Sequence, residues 1–229
     1  MNSIMFFSRP ALTSLLSGFT DYHSHILPGV DDGIKSMEKS LEVLAYYETL
    51  GIATVWCTPH IMEDIPNTTE HLRNRFAELC EAYQGPIQLH LAAENMMDEL
   101  FEERLRNNDL LPLCEDGRHL LVETSYFTPP MGMKDILKRI LAKGYFPVLA
   151  HPERYEYMSD KDYKELKTMG VLFQMNLSSL AGAYGGFAKA KSEWMLKKGF
   201  YDFFGSDLHS LRNTEFWNTR NKYYKLINK

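Results

Sequence analysis

Ligand-type side chains recur at the ends of apolar, β-prone runs along this chain: His23 with His25, then His60, Glu94, Glu123, His151, and Asp207 with His209. The runs read as strands over Phe19–Ile26, Ile52–His60, Ile87–Asn95, His119–Tyr126, Tyr145–His151, Val171–Leu177 and Phe200–Asp207. Between them, helical patterns such as Ser36–Leu50, Glu70–Tyr83, Lys134–Lys143, Lys161–Met169 and Ala188–Lys198 give a repeat of about 25 to 37 residues. Such alternation specifies a parallel sheet, because a crossover must return the chain to the edge where the next strand starts. The ligand positions choose between an open and a closed sheet. Outer strand ends of an open sheet lie far apart, whereas a barrel gathers all of them on one rim. The expected fold is α/β, a distorted seven-unit relative of the (β/α) TIM barrel, with residues 1–229 as a single domain and 1–18 as an N-terminal extension. Past Arg212, the spacing of Phe216, Tyr223, Tyr224 and Ile227 predicts a closing helix.

A chain of 229 residues with 45% apolar composition can bury one substantial core. Its net charge of -5 argues against nucleic acid as the main partner, since phosphate-backbone binding needs clustered Lys and Arg. The first 20 residues lack the basic start and sustained apolar centre of a signal peptide, and no apolar run is long enough for a membrane span. A soluble cytoplasmic protein is expected. Cys57, Cys80 and Cys114 are odd in number, distant and form no C-x-x-C pair, which fits free thiols in a reducing compartment.

Side chains two residues apart on a strand share a face, so His23 and His25 can grip one centre, as can Asp207 and His209. Any one of these histidines alone reads as packed or solvated. Their common position at strand ends makes them a metal site, for which imidazole and carboxylate are the ligand set of Zn, Mn or Fe. His71, His90 and His119 fall in a helix, mid-strand and at a strand start, and are read as structural. A thiolate phosphate loop would need arginine six residues after a cysteine, but those positions hold Glu63, Pro86 and Leu120. There is no G-x-S-x-G elbow either.

The ordered motifs D-x-H-S-H (Asp21–His25), V-D-D-G (Val30–Gly33), T-P-H (Thr58–His60), A-A-E (Ala92–Glu94), V-E-T (Val122–Thr124), H-P-E-R-Y (His151–Tyr155) and S-D-L-H (Ser206–His209) resemble the polymerase-and-histidinol-phosphatase (PHP) superfamily. Within it, the chain resembles the CpsB/YwqE-type bacterial protein-tyrosine phosphatases of capsule and exopolysaccharide systems, over about residues 20 to 212. The resemblance implies a PHP barrel with three divalent metal ions, Mn or Fe in preference to Zn or Mg. His23, His25, Glu94 and Asp207 would hold one ion. Glu94, Glu123 and His151 would hold a second, and Asp32, His60 and His209 a third. Either Asp31 or Asp32 can turn inward from the Gly29–Gly33 loop, or the pair can be an ordinary Asp-Gly turn. The implied reaction is direct transfer of a phosphoryl group to water, with Arg154, Asp207 and His209 as the catalytic set. The implied partner is an autophosphorylated bacterial tyrosine kinase.

Arg154 is the candidate phosphate clamp, because a guanidinium offers a planar fork to two oxygens; a surface ion pair with Glu153 or Glu156 is the alternative. Arg212 is a second candidate, although it stands nearer the S-D-x-H motif than the corresponding arginine of relatives. Tyr126, Phe127 and Tyr155 are a candidate aromatic wall for a phenyl ring, or simple packing. The small-residue run Ala181–Gly186 can admit a peptide, or be a mobile loop. A small-molecule phosphatase, such as one acting on histidinol phosphate, is the rival enzyme. A non-catalytic phosphotyrosine-binding module is the rival of another class, and the retained ligand set argues against it.

Overall fold

The structure, a computed structural model, describes residues 11–220 and Ile227. Its strands are β1 (Thr20–Ser24), β2 (Thr54–Cys57), β3 (His60–Ile61), β4 (Gln88–Leu91), β5 (Glu94–Met96), β6 (His119–Glu123), β7 (Phe146–Ala150), β8 (Leu172–Asn176) and β9 (Phe203–Gly205). Helices α1 (Met37–Leu50), α2 (Thr69–Ala82), α3 (Glu99–Asn107), α4 (Met133–Ala142), α5 (Asp160–Met169), α6 (Leu177–Ala181) and α7 (Gly185–Lys197) run between them. All strand pairs are parallel, in the orders β1-β2-β4 and β3-β5-β6-β7-β8-β9.

The break between the two sheets crosses two expected strands at one level. Thr58-Pro59 separates β2 from β3, and Ala92-Ala93 separates β4 from β5. Proline has no N–H to donate to a ladder, so the strand is interrupted there. The pieces stay in register: Ala92 N–H donates to Cys57 O at 2.9 Å, and Glu94 N–H to Pro59 O at 3.1 Å. At the other side the sheet closes on itself. Asp207 N–H donates to His23 O at 2.8 Å and His25 N–H to Leu208 O at 3.1 Å, with Ser24 bridged to Leu208. The curled parallel sheet with outer helices agrees with the α/β barrel expected from the sequence.

Strand alternation divides the core. In β6, Leu120 and Val122 pack with Ile136, Leu137 and Ile140 of α4, while Leu121 turns the other way to join Trp56, Val148 and Ala150 inside the barrel. A third apolar group binds α1 and α2 to β2 through Val43, Leu44, Val55, Leu72 and Leu79. Leu12 and Leu16 are fully buried in it, so the end of the expected extension is part of the core; residues 1–10 lie outside the described residues.

Two expectations need correction. The apolar pattern does not single out α3, whose short, charge-rich sequence is fixed by Asp98 accepting from Phe101 N–H at its start. The closing helix over 212–229 is, where described, a 3-10 helix at Leu211–Asn218. Trp217 is buried and donates to Ser178 Oγ, whereas Phe216 is 40% exposed, so the apolar face is displaced by one residue. Tyr223 and Tyr224 lie outside the described residues, and Ile227 is buried in the core.

Glycine is required where the closure is tightest. A Cβ on Gly205 would stand 2.5 Å from His23 Cβ and 2.8 Å from His23 N. We expect Gly205→Ala to cost about 1–3 kcal/mol through overpacking, read as a lower urea midpoint in chelator-treated protein. An unchanged midpoint would show that the closure tolerates a methyl group.

Candidate metal centre

β1 ends where two imidazoles point into the barrel mouth. His23 and His25 are both fully buried, with their Nε2 atoms 3.1 Å apart. Asp21, two residues earlier on the same face, fastens this end: its Oδ1 accepts from Ser206 N–H at 2.7 Å and His23 N–H at 3.2 Å. Tyr47 O–H lies 3.0 Å from its other oxygen. The first and last motifs of the chain are thereby locked side by side.

Three groups of donor atoms converge here. The first joins His23, His25, Glu94 and Asp207, the second His60, Glu94 and Glu123, and the third His25, Asp32, His60 and His209. Glu94 is the hub. Its Oε2 lies 3.1 Å from His23, 3.2 Å from His25 and 3.2 Å from His60, and its Oε1 is 3.0 Å from His151 Nε2. His60 stands between groups, with Nδ1 3.0 Å from Glu123 and Nε2 3.5 Å from Asp32. His151 is 3.9 Å from Glu123, so it and His60 share the neighbourhood that the resemblance assigned to His151 alone.

The imidazoles are oriented from behind. His23 Nδ1 meets Gln174 Oε1 at 2.8 Å, His25 Nδ1 meets Asp31 Oδ2 at 2.8 Å, and His209 Nδ1 meets Asp207 O at 3.1 Å. An N–H donated to each of these oxygens leaves the Nε2 lone pair facing the cluster, the tautomer a metal needs. The two aspartates of V-D-D-G therefore divide the work. Asp31 is turned in behind His25 and also accepts from Gly33 and His60 N–H groups. Asp32, with its side chain 64% exposed, reaches within 3.3 Å of His209 Nε2.

This donor set fits divalent ions. His60 Nδ1, Glu94 Oε2 and Glu123 Oε1 are buried without a hydrogen bond although the two carboxylate oxygens lie 3.2 and 3.0 Å from the imidazole nitrogen. Lone pairs held against lone pairs in a buried site are stabilised by a cation between them. Burial alone would lift the carboxyls of Glu94 and Asp207, but the surrounding histidines hold both well below the usual range. Conversely, burial lowers His23, yet the charges of Glu94 and Asp207 outweigh it and raise the imidazole to about 9. Backbone strain is concentrated at the same place: His151 and Asp207 adopt left-handed φ of 33° and 52°.

The cluster opens into a cleft of about 230 Å³ whose walls include Tyr126, Arg154 and Tyr184. Arg154 donates from Nη1 to Asp207 Oδ2 at 3.1 Å, and its guanidinium lies between the rings of Tyr126 and Tyr184 at 4.1 and 4.2 Å. It does not pair with Glu153, which is fully buried and accepts from Asn176 N–H, Ser179 and Tyr201. Phe127, 67% exposed, stands at the rim of a second cavity with Met62, Met96 and Tyr126. Tyr155 does not belong to an open aromatic wall: it is completely buried and its hydroxyl accepts from Thr124 N–H. Arg212 lines a neighbouring cavity instead of the metal cleft. Of the other histidines, His90 stacks on Trp56 and His119 bonds Asp116. No cysteine lines the cleft, and burial pushes the Cys57 thiol far up.

The family model "Capsular polysaccharide synthesis, CpsB/CapC" matches residues 19–220. The chain belongs to the CpsB/CapC family. It is 30% identical to the tyrosine-protein phosphatase CpsB of Streptococcus pneumoniae over 204 residues, 83% of each chain. It is 27% identical to the tyrosine-protein phosphatase YwqE of Bacillus subtilis over 202 residues, 86% of this chain and 79% of that one. A solved structure from a pair described as YwqE and CpsB, unique metal-dependent tyrosine phosphatases, superposes with a TM-score of 0.79 and 27% identity, covering 91% of this chain and 84% of the other.

Gln174, Asn176 and Tyr184 are absent from the sequence-derived site of this CpsB/CapC chain. Gln174 carried a signal, as a polar residue inside the apolar run Leu172–Asn176; Tyr184 lies in the Ala181–Gly186 run read as a peptide entrance or loop, which did not mark its ring. Two outcomes follow from the geometry. Asp31→Asn should weaken metal binding about 10- to 100-fold, because a carboxylate behind His25 Nδ1 orients the ring and raises its basicity; competition with a fluorescent chelator measures this, and unchanged affinity would remove Asp31 from the site. The pH dependence follows from the raised histidines. Groups whose pKa is higher folded than unfolded stabilise the metal-free protein fully below about 6.5, and that share is lost as pH rises through about 9. Metal competes with these protons, so the melting-temperature gap between Mn-loaded and chelator-treated protein should widen from pH 6.5 to 9. A constant gap would show that the imidazoles are not the ligands.

Proposed function

We propose that this chain is a metal-dependent protein-tyrosine phosphatase. Its substrate would be a phosphotyrosyl protein, an autophosphorylated bacterial tyrosine kinase in capsular or exopolysaccharide biosynthesis, on the cytoplasmic side. The observation that carries this reading is the convergence of three donor groups and one arginine fork on a single cleft.

In this reading the cleft holds three divalent ions, Mn or Fe in preference to Zn or Mg. His23, His25, Glu94 and Asp207 would hold one, Glu94, Glu123 and His151 another, and Asp32, His60 and His209 the third. Bound ions supply Lewis-acid charge and acidify water for attack on phosphorus. The protein's own groups do the rest. Arg154, held between two rings, presents donors to the equatorial phosphoryl oxygens. Asp207, bonded directly to Arg154, and His209 beside it line the same cleft, and Glu94 contacts the imidazoles of His23, His25, His60 and His151. A phenolate of pKa about 10 leaves more readily than an alkoxide, which favours aryl esters without a strong general acid.

The cavity beside the second donor group supports an aryl substrate over histidinol phosphate. It offers about 250 Å³ among Met62, Met96, Tyr126 and Phe127, next to His60 and Glu123. Apolar cavities of about 150 Å³ already accept benzene, and thioethers make favourable contacts with aromatic rings.

The test is turnover of a phosphotyrosyl peptide against histidinol phosphate. Chelation should abolish turnover of the peptide, and Mn or Fe should restore it better than Mg, because a mixed N/O donor set disfavours a hard, oxygen-seeking ion. Arg154→Ala should lower kcat/KM roughly 10²- to 10³-fold, with Arg154→Lys recovering only part. Full activity after chelation would end the metal-dependent reading; faster turnover of histidinol phosphate would make this a small-molecule phosphatase.

A further inference from the structure

Beside the metal cleft lies a cavity of about 620 Å³, and His209 belongs to both walls. Ile34, Val43 and Leu211 give it an apolar lining, while Lys35, Lys39 and Arg212 bring cations to it. These cations are not equivalent. Lys39 Nζ lies 2.8 Å from both oxygens of Glu42, so that pair is internally neutral. Lys35 Nζ donates to the carbonyl of Asp31 at 2.7 Å, which fixes the ammonium without neutralising it. Arg212 is exposed and has neither a hydrogen bond nor an ion pair among the described residues. Two uncompensated positive charges therefore flank one cavity of a chain whose net charge is -5.

With the phosphoryl group assigned to the metal cleft and the ring to the cavity beside Phe127, the 620 Å³ cavity is left without an occupant by the phosphotyrosyl group itself. A peptide supplies one. Successive residues of an extended chain advance about 3.3 Å, so a residue two or three positions from phosphotyrosine sits roughly 7–10 Å away, the scale of two cavities that share one side chain. We propose that this cavity receives an acidic side chain flanking the phosphotyrosine, its methylenes on Ile34, Val43 and Leu211 and its carboxylate between Lys35 and Arg212. The proposal rests on the phosphotyrosyl reading and adds a sequence preference to it. It also gives Arg212 a task other than holding the transferred phosphoryl group: a planar fork for a neighbouring carboxylate.

The experiment compares phosphotyrosyl peptides carrying Glu, Gln or Lys one to three positions to either side, with Mn-loaded wild type and the Lys35→Glu/Arg212→Glu double variant; Arg212→Ala serves as a milder variant. Each result is a ratio of kcat/KM values within one variant, so a general loss of activity cancels. Wild type should favour the Glu peptide over Gln about 3- to 10-fold on one side, mainly through KM, and lose the preference in high salt, as expected of rim charges. The double variant should invert the order in favour of Lys, with Arg212→Ala intermediate. Equal rates for Glu, Gln and Lys peptides in wild type, or an unchanged ratio in the double variant, would overturn the subsite while leaving the phosphatase in place. Failure of wild type to release phosphate from phosphotyrosine itself would instead defeat the phosphatase reading on which the subsite depends.

Discussion

The backbone contact between the first and last strands governs this molecule. Asp207 N–H to His23 O and His25 N–H to Leu208 O close the sheet, and three of these residues, His23, His25 and Asp207, carry donor side chains of the candidate metal groups. Closure and site assembly are therefore one event. Gly205 lets the strands approach, Asp21 ties Ser206 to His23, and Tyr47 sits over both from α1. A donor group drawn from residues near 23, 94 and 207 exists only while this contact holds, because nothing local in sequence joins them. Its cost is visible in the left-handed backbone of Asp207.

Burial of so much charge is tolerable only as a set. Glu94, Glu123 and Asp207 are at most 3% exposed, and an isolated carboxylate at such depth would take up a proton. Here histidines on several strands hold Glu94 and Asp207 ionised. Without metal, the imidazoles of His23, His25 and His60, whose affinity for protons is raised, supply that positive charge. With metal, they are neutral and the ions carry the charge, so protons and metal are alternatives for one electrostatic task.

Much of this was legible in the sequence. Strand-helix alternation and the recurrence of ligand types at strand ends point to a closed sheet, and the spacing of His23 with His25 places both on one face. What escaped was conformational detail. Pro59 splits a strand that periodicity reads as continuous, and its partner breaks at Ala92-Ala93 to stay in register. The choice between Asp31 and Asp32 depends on loop geometry, which no spacing rule encodes; so does Tyr184, brought by the loop after α6 onto the face of Arg154 opposite Tyr126. Tyr155 was misplaced for a simpler reason: H-P-E-R-Y is a 3-10 turn in which side chains three apart share a face, so His151 and Arg154 both line the cleft while Glu153 and Tyr155 are buried away from it.

The two oxygens of Asp207 show how clamp and cluster are joined. Oδ1 faces the imidazoles, 3.5 Å from His23 and 3.4 Å from His25, while Oδ2 accepts from Arg154 at 3.1 Å and Asn176 at 2.6 Å. One carboxylate thus belongs to the metal-ligand group and also anchors the arginine. Charge drawn from Asp207 toward a bound cation is charge no longer offered to Arg154, whose stacked rings keep it in place without that ion pair. Arg154 would then meet a phosphoryl oxygen in a loaded site already oriented and less strongly held by its anchor, whereas in a metal-free site the same guanidinium neutralises Asp207. On the proposed reading, a cleft arranged this way would couple its affinity for phosphate to its occupancy by metal through a single side chain.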